Sequence, residues 1–272
     1  MTLHIYDDLE QRSEEWYAAR RGIVTASSVG RLISVGAPDP IVVNCPTCSA
    51  AAHSPCVSKA SKAPTAIKSI HEPRANLART LPPVYGPATG DDARGLTITL
   101  AAERITGWTE ETYVSSDMWR GIEAEPFARA EYAEHHAEVV EVGFMRRDHE
   151  DGWTLGYSPD GLVGDDGLIE IKCPRTKTHV NTILANEVPA HYMPQLQAGL
   201  LVTGRKWIDF VSYVSGMPLY VKRVTPDPAW FAAIAGACLA FERNAAQIVA
   251  EYEARTADLP TTERINYDLQ VA

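Results

Sequence analysis

The sequence predicts an α/β domain whose central mixed sheet is flanked by helices, with a small metal-binding module inserted near the N-terminus. Three observations carry this. The chain has 272 residues, 45% hydrophobic and 22% charged, which suits one large domain with a sizeable core. Helical patterning dominates before residue 136 and after residue 178, with short apolar segments of strand length between. From about residue 36 to 87 that periodicity is lost: Pro, Ser, Ala and Lys dominate, and Cys45, Cys48 and Cys56 fall close together.

The elements follow in order. Ser13 can accept from a free helical N–H, and Glu14 and Glu15 suit the positive first turn, so a helix starts there and runs to about Arg20, with Gly22 as its stop. Ile23 and Val24 form an extended link, and Thr25 caps a second helix over about 26–33. Further helices are expected over 96–105 and 117–136, where Pro126 should kink the second or mark a restart. Strands follow over 139–144, 153–158, 162–163 and 168–173, then helices over 178–185 and 189–202. A strand pair over 207–214 and 219–224 precedes a long helix that Pro228 opens. The core is therefore expected over 1–37 and 86–260, the insert over 38–85, and a polar peripheral tail over 261–272.

No apolar run reaches the roughly 18 residues of a membrane span, and the first residues lack the basic start and apolar centre of a signal peptide. The expected location is the cytoplasm of a bacterial host cell, with no membrane partner. Five cysteines without an export signal argue against a disulfide framework. The net charge of −10 argues against a general nucleic-acid coat, but the charge is uneven. Lys59, Lys62, Lys68, Arg74 and Arg79 against Asp39 and Glu72 leave the insert at +3 and the remainder at −13. Metal-dependent nucleases need clustered carboxylates, so an acidic total is compatible with one.

The informative stretch is Ser158-Pro159-Asp160-Gly161, followed by Ile169-Glu170-Ile171-Lys172. Alternate side chains of a strand share a face, so Glu170 and Lys172 point one way and the two isoleucines point into apolar core. Asp165-Asp166-Gly167 reads as a three-residue hairpin loop with Gly in the left-handed position. That register sets Gly164 opposite Leu168 and Asp160 opposite Lys172, with Glu170 diagonal to it. Two hard carboxylate oxygens suit Mg²⁺ or Mn²⁺, one or two ions, and the lysine can orient or help deprotonate a water for attack on phosphorus. A surface hairpin with a cross-strand ion pair would show the same short string.

Further blocks surround this one. Glu15-Trp16-Tyr17-Ala18-Ala19-Arg20-Arg21-Gly22-Ile23-Val24-Thr25-Ala26-Ser27 stands near the N-terminus, then Gly121-Ile122-Glu123-Ala124-Glu125-Pro126, and after the Glu-x-Lys-Cys-Pro block comes Tyr192-Met193-Pro194-Gln195-Leu196-Gln197. In this order the blocks resemble the lambda exonuclease/YqaJ-like viral recombinase family of the PD-(D/E)xK superfamily, over most of the chain outside the insert. The resemblance implies a restriction-endonuclease-like core in which Asp160, Glu170 and the Ile171 carbonyl hold Mg²⁺, Glu125 completes a second metal position, and Lys172 acts on the attacking water. It implies that Arg20, Ser27, Ser158 and Gln195 bind the 5′-phosphate end of DNA. It further implies 5′→3′ digestion of one strand of duplex DNA, leaving 3′ single strands for an annealing protein, and a homotrimer. The start of the Thr25 helix offers free N–H groups that suit a phosphate near Ser27 and Arg20, whereas Arg20 by position alone is also a solvated helix-end arginine. Glu123 competes with Glu125 as the ligand, and Gln195 could be polar surface.

The insert reads C-x₂-C-x₇-C-x₁₄-H, from Cys45, Cys48 and Cys56 to His71. The x₂ spacing lets two thiolates take adjacent corners of a tetrahedral Zn²⁺ site. His53 competes as fourth ligand, but His71 closes the wider loop. With Pro55-Cys56 and His71-Glu72-Pro73-Arg74, the segment resembles small zinc-finger modules of actinobacterial phage proteins. Cys173 and Cys238 read as small core residues. The competing functions are a structure-specific or Cas4-like nuclease of the same fold, which would place three cysteines late rather than early, and a non-catalytic zinc-containing DNA-binding protein.

Overall fold

A strand without a signal in the sequence pattern opens the chain. In the computed structural model, which describes residues 1–58, 64–110 and 114–265, β1 (Thr2–Tyr6) lies antiparallel to a later strand and is half exposed. Ser13 caps α1 (Glu14–Arg20), its Oγ accepting from the Trp16 N–H at 3.2 Å, and Gly22 leaves the helix at φ +68°. The expected extended link is β2 (Val24–Thr25). Thr25 then begins α2 (Ala26–Val29), a single turn followed by a 3-10 turn over Gly30–Leu32. The helix expected to reach residue 33 stops there because Ile33 enters β3 (Ile33–Gly36).

β3 pairs antiparallel with β4 (Val84–Pro87), Ile33 opposite Pro87 and Gly36 opposite Val84, so the insert leaves and rejoins the core through one two-stranded ladder. Inside it lie a 3-10 turn, Pro40–Val42, and α3 (Glu72–Ala78). α4 (Asp91–Thr106) ends on left-handed Gly107, and α5 (Ser116–His135) is capped by the Ser115 hydroxyl. α5 runs through Pro126 as one helix, where a restart was an alternative. Pro126 is exposed, so the carbonyl it leaves without a helical donor lies on the outer face of the helix.

β5 (Phe144–Asp148) begins where the expected strand ends, and residues 139–142 contribute only a single bridge, Val140 to Leu162. β6 (Thr154–Tyr157), β7 (Gly161–Val163), β8 (Gly167–Lys172), α6 (Thr176–Ala185) and α7 (Met193–Thr203) follow near their expected places. β9 (Trp207–Ser212), β10 (Tyr220–Val224) and α8 (Pro228–Thr256) complete the chain.

The strands form two mixed four-stranded sheets, ordered β1-β5-β6-β2 and β10-β9-β8-β7. α7 is apolar nearly all round and is buried against both, and Gly199 lets it approach Tyr157, since a Cβ there would come within 2.9 Å of the ring. The main core joins Leu155, Tyr157, Leu168, Phe210, Leu196 and Leu200 to α8 through Ile234 and Phe241. A second cluster on the opposite face of β8 joins Ile169, Ile171 and Val211 to Ala128 and Tyr132 of α5. β8 is thus clamped from both faces, a rigid floor for the side chains at its end.

Candidate active site

The β7–β8 hairpin differs from its sequence reading by a register step. Gly161 faces Ile169 and Val163 faces Gly167, so the loop is Gly164-Asp165-Asp166 and Gly164 takes the left-handed conformation, φ +50°. Gly167 is glycine for a different reason: the Trp207 ring lies 2.1 Å from where its Cβ would be. The same register, continued one residue past Gly161, sets Asp160 against Glu170 and not against Lys172.

Glu170 and Lys172 share a face of β8 with Leu168, as strand alternation requires. Glu170 is 1% exposed and fully engaged. Its Oε1 accepts from Lys172 Nζ at 2.6 Å and from the Gln195 amide, and its Oε2 accepts from the Tyr157 hydroxyl at 3.0 Å. Asp160 Oδ2 accepts from the Ile171 N–H at 2.6 Å. A strand residue sends its N–H and C=O from the same edge, so the Ile171 carbonyl leaves β8 on the side of Asp160. Burial, and then the Glu170 charge, push the Asp160 carboxyl well above the usual range. Burial pulls Lys172 down, but Glu170 and Asp160 outweigh it and hold the ammonium above its ordinary value.

α5 supplies the third carboxylate. Glu125 is half-buried and is raised first by burial and then by Glu170, against the opposing pull of Arg129. Glu123 is exposed, two residues and half a helical turn away. Arg129 ties this corner together: its guanidinium donates to Glu125 Oε1 at 2.6 Å and to the Asp160 carbonyl at 2.8 Å, and pairs with Glu141 at 3.0 Å.

Two residues before Asp160, the Ser158 hydroxyl receives Trp16 Nε1 at 2.9 Å and Arg20 Nη1 at 3.1 Å. Arg20 stacks on the Trp16 ring, 3.8 Å from its centroid, and burial lowers its pKa to about 10. It is no solvated helix end. β2 runs parallel to β6 with Thr25 level with Gly156, which carries Ser27 and Ser158 to the same end of the sheet. Ser27 is exposed, with its hydroxyl 3.2 Å from that of Thr25. The helix-dipole argument for this corner loses its force, because α2 is one turn long. Gln195 joins Glu170 and not Ser158.

In the insert, the ligand atoms of Cys45, Cys48, Cys56 and His71 all lie within 4.8 Å of one another, an arrangement that fits a Cys₃His zinc site. His71 Nδ1 stands 3.4 Å from Cys45 Sγ, and His53 is outside the cluster. The Val57 N–H on Cys48 Sγ leads the effects that lower that thiol to about 6, and the His71 backbone and Arg74 lower Cys56. Arg74 is fully buried and donates to the carbonyls of Ile41, Val43, Ala51 and Ser54 and to Cys56 Sγ. It therefore cannot reach phosphate, although it counts toward the +3 of the insert; Lys59 and Lys62 lie outside the described residues.

The chain resembles known exonucleases over nearly its whole length. Two crystal structures of LHK-Exo, an alkaline exonuclease from Laribacter hongkongensis, one of them in complex with dAMP, match at 32% identity with a TM-score of 0.62, covering 91% of this chain and 100% of that one. The YqaJ-like viral recombinase domain matches residues 92–206. This chain belongs to the YqaJ-like viral recombinase family. A phage zinc finger domain described as DNA-binding matches residues 10–91 of this chain, reaching past the cysteine cluster on both sides. A phage related exonuclease from Haemophilus somnus matches at 15% identity with a TM-score of 0.48, over 85% of this chain and 96% of that one. Among curated proteins nothing matches. No helix among the described residues is long and apolar enough to cross a membrane.

Sequence reasoning missed three side chains of this candidate site. Arg129 stands four residues after Glu125, the spacing of a helical ion pair, which was a legible signal. Tyr157 and Trp16 gave none, since either could have been an ordinary core aromatic.

Proposed function

We propose that this protein is a divalent-metal-dependent deoxyribonuclease that digests duplex DNA from its 5′ ends and leaves 3′ single strands. The observation that carries this is the crowding of Asp160, Glu170 and Glu125 around Lys172, two residues from the Arg20–Ser158 pair. Three carboxylates of hard oxygen, two of them (Asp160 and Glu125) pushed toward protonation by burial and by the Glu170 charge, suit a small divalent cation that would neutralise them. Mg²⁺ or Mn²⁺ would be held by Asp160, Glu170, the Ile171 carbonyl and Glu125. Such an ion supplies Lewis acidity and a water activated near neutral pH.

The chain's own residues do the rest. Tyr157 and Gln195 fix Glu170, and Arg129 fixes Glu125 and the turn before Gly161. The Lys172 ammonium orients the attacking water. Arg20 and Ser158, with Ser27 beside them, receive the terminal 5′-phosphate, where a guanidinium held by stacking makes charge-assisted bonds. The relative's complex with dAMP, a deoxynucleoside monophosphate, supports a mononucleotide product. Structural Zn²⁺ would close the insert, with 1–37 and 86–260 forming the nuclease core, and the 3′ strand would pass to an annealing protein.

End-labelled linear duplex with Mg²⁺ tests this. Duplex with a 5′-phosphate should be digested faster than 5′-hydroxyl duplex, closed circles should resist, and Arg20→Ala should shrink the difference between the two ends. Efficient cutting of closed circles would overturn the end-dependent reading in favour of an endonuclease.

A further inference from the structure

The chain turns from α1 into β2 at Gly22, and α4 holds that turn by both of its backbone groups. Gly22 is buried at φ +68°, and a Cβ there would come within 2.5 Å of Arg104 Cγ. Its N–H donates to Glu103 Oε2 at 2.6 Å, and its carbonyl accepts from Arg104 Nε at 2.6 Å. Arg104 is anchored in turn. Its two terminal nitrogens donate to Glu242 of α8 at 2.7 and 2.9 Å, and its guanidinium lies 5.0 Å from the centre of the Phe241 ring. A buried N–H needs an acceptor, but any carbonyl would serve; here the acceptor is a carboxylate.

The use of a charged acceptor has a reason two residues earlier, at Arg20. Among the described residues Arg20 has no carboxylate at ion-pair distance; its guanidinium bonds the Ser158 hydroxyl and stacks on Trp16. Burial lowers the pKa of that guanidinium, and Tyr17 and Glu103 oppose the lowering. Glu103 therefore steadies the Arg20 charge, yet its Oε2 is held on Gly22 and leaves the guanidinium's donors open. A direct ion pair would fill the fork that a phosphate needs. We propose that Glu103 is a positioning residue that sets Arg20 for a terminal phosphate, by clamping the Gly22 turn and by supplying a counter-charge from a distance. The proposal rests on the reading of Arg20 as the residue that receives the 5′-phosphate. Glu103 touches no DNA in this scheme. Acting through Arg20, it sets the preference for phosphorylated over hydroxyl ends and leaves the cleavage step alone.

The test is steady-state digestion, with Mg²⁺, of end-labelled linear duplex carrying 5′-phosphate or 5′-hydroxyl ends. The variants are Glu103→Ala, Glu103→Gln, Arg20→Ala and the double variant of Arg20→Ala with Glu103→Ala. The control is Asp92→Asn, which weakens the exposed pair that the same helix makes with Arg31 and should match wild type. Glu103→Ala should raise KM for the phosphorylated duplex about tenfold at unchanged kcat, the sign of lost binding, and leave the hydroxyl duplex within about twofold. Glu103→Gln keeps an acceptor for the Gly22 N–H and should recover most of the loss; it also carries the test if the alanine protein does not fold, since a small rise in KM confined to the phosphorylated duplex is then expected. In the Arg20→Ala background, Glu103→Ala should add less than about twofold, because the two residues act as one unit. Equal shifts of KM and kcat on both kinds of end, or full additivity with Arg20→Ala, would mark Glu103 as merely structural and overturn the proposal. A wild type that digests both ends at the same rate removes the terminal-phosphate reading and this proposal with it. A wild-type preference that survives intact in the folded Glu103 variants removes the proposal alone.

Discussion

Replacing Arg74 by methionine should loosen the zinc module while leaving the catalytic carboxylates in place. Among the described residues of 38–85 only Cys45, Cys56, Arg74 and Ala78 are buried, so the module has almost no apolar core and a guanidinium occupies its centre. That guanidinium makes five bonds, to Val43 at 2.9 Å, Ser54 at 2.8 Å, Ile41 and Ala51 at 3.0 Å, and Cys56 Sγ at 3.4 Å. A hydrogen bond from a charged donor contributes about 1.5–3 kcal/mol. Ala51 is exposed and its carbonyl would regain water, while Ile41, Val43 and Ser54 are half-buried and would regain it in part. Taking two of the five bonds as uncompensated gives a loss of about 4 kcal/mol. Metal binding in such a module is coupled to its folding, so the loss should be read as zinc held roughly a thousandfold more weakly. Arg74→Lys keeps the charge and three donors and should fall between. Competition with a chromogenic chelator at fixed pH measures the affinity, with elemental analysis giving the zinc content. An Arg74→Met protein that retains zinc as tightly as wild type would refute the assignment of the guanidinium as the module's core.

Asp160→Ala and Lys172→Ala should each abolish Mg²⁺-dependent cleavage with the far-ultraviolet circular dichroism unchanged, because Glu170 keeps Tyr157 and Gln195 as partners; a folded Lys172→Ala protein that cleaves near-normally would sink the catalytic role. Arg129→Gln should raise the Mg²⁺ concentration needed for half-maximal cleavage about tenfold, since Glu125 loses a 2.6 Å charged bond of order 1.4 kcal/mol, with Arg129→Lys restoring part of it. An unchanged Mg²⁺ titration would remove Arg129 from the site. Cys45→Ser with Cys48→Ser should release zinc and make the insert protease-sensitive while short duplexes are still cut. Complete loss of cleavage by that protein would show that the module and the nuclease core are not separable.

Much of this was legible in the residues because the signals are local. Ser13 before two glutamates, Gly22 after α1, the alternation of Ile169, Glu170, Ile171 and Lys172, and the cysteine spacing each depend on a few neighbouring residues, and each appears where expected. The ladder that closes the insert, β3 with β4, was not visible, because each strand is four residues long and gains its partner from 48 to 54 residues away. β1 was missed for the same reason: it is half exposed, its pattern is weak, and pairing with β5 makes it a strand.

The sequence by itself determined which chemistry this protein carries: three carboxylates, a lysine, an arginine–serine pair and a Cys₃His set, ordered along one chain. Tertiary structure decided how they are used. It set Glu125 half-buried near Glu170 and left Glu123 exposed, because two residues half a helical turn apart cannot both face β8. It placed Asp160 against Glu170, because Trp207 covers Gly167 and leaves Gly164 to make the left-handed turn. It buried Arg74 at the centre of the zinc module, because four backbone carbonyls and a thiol converge where no apolar side chain is available to fill the space. A residue type states what a side chain can do; only the packing of distant segments fixes what it faces.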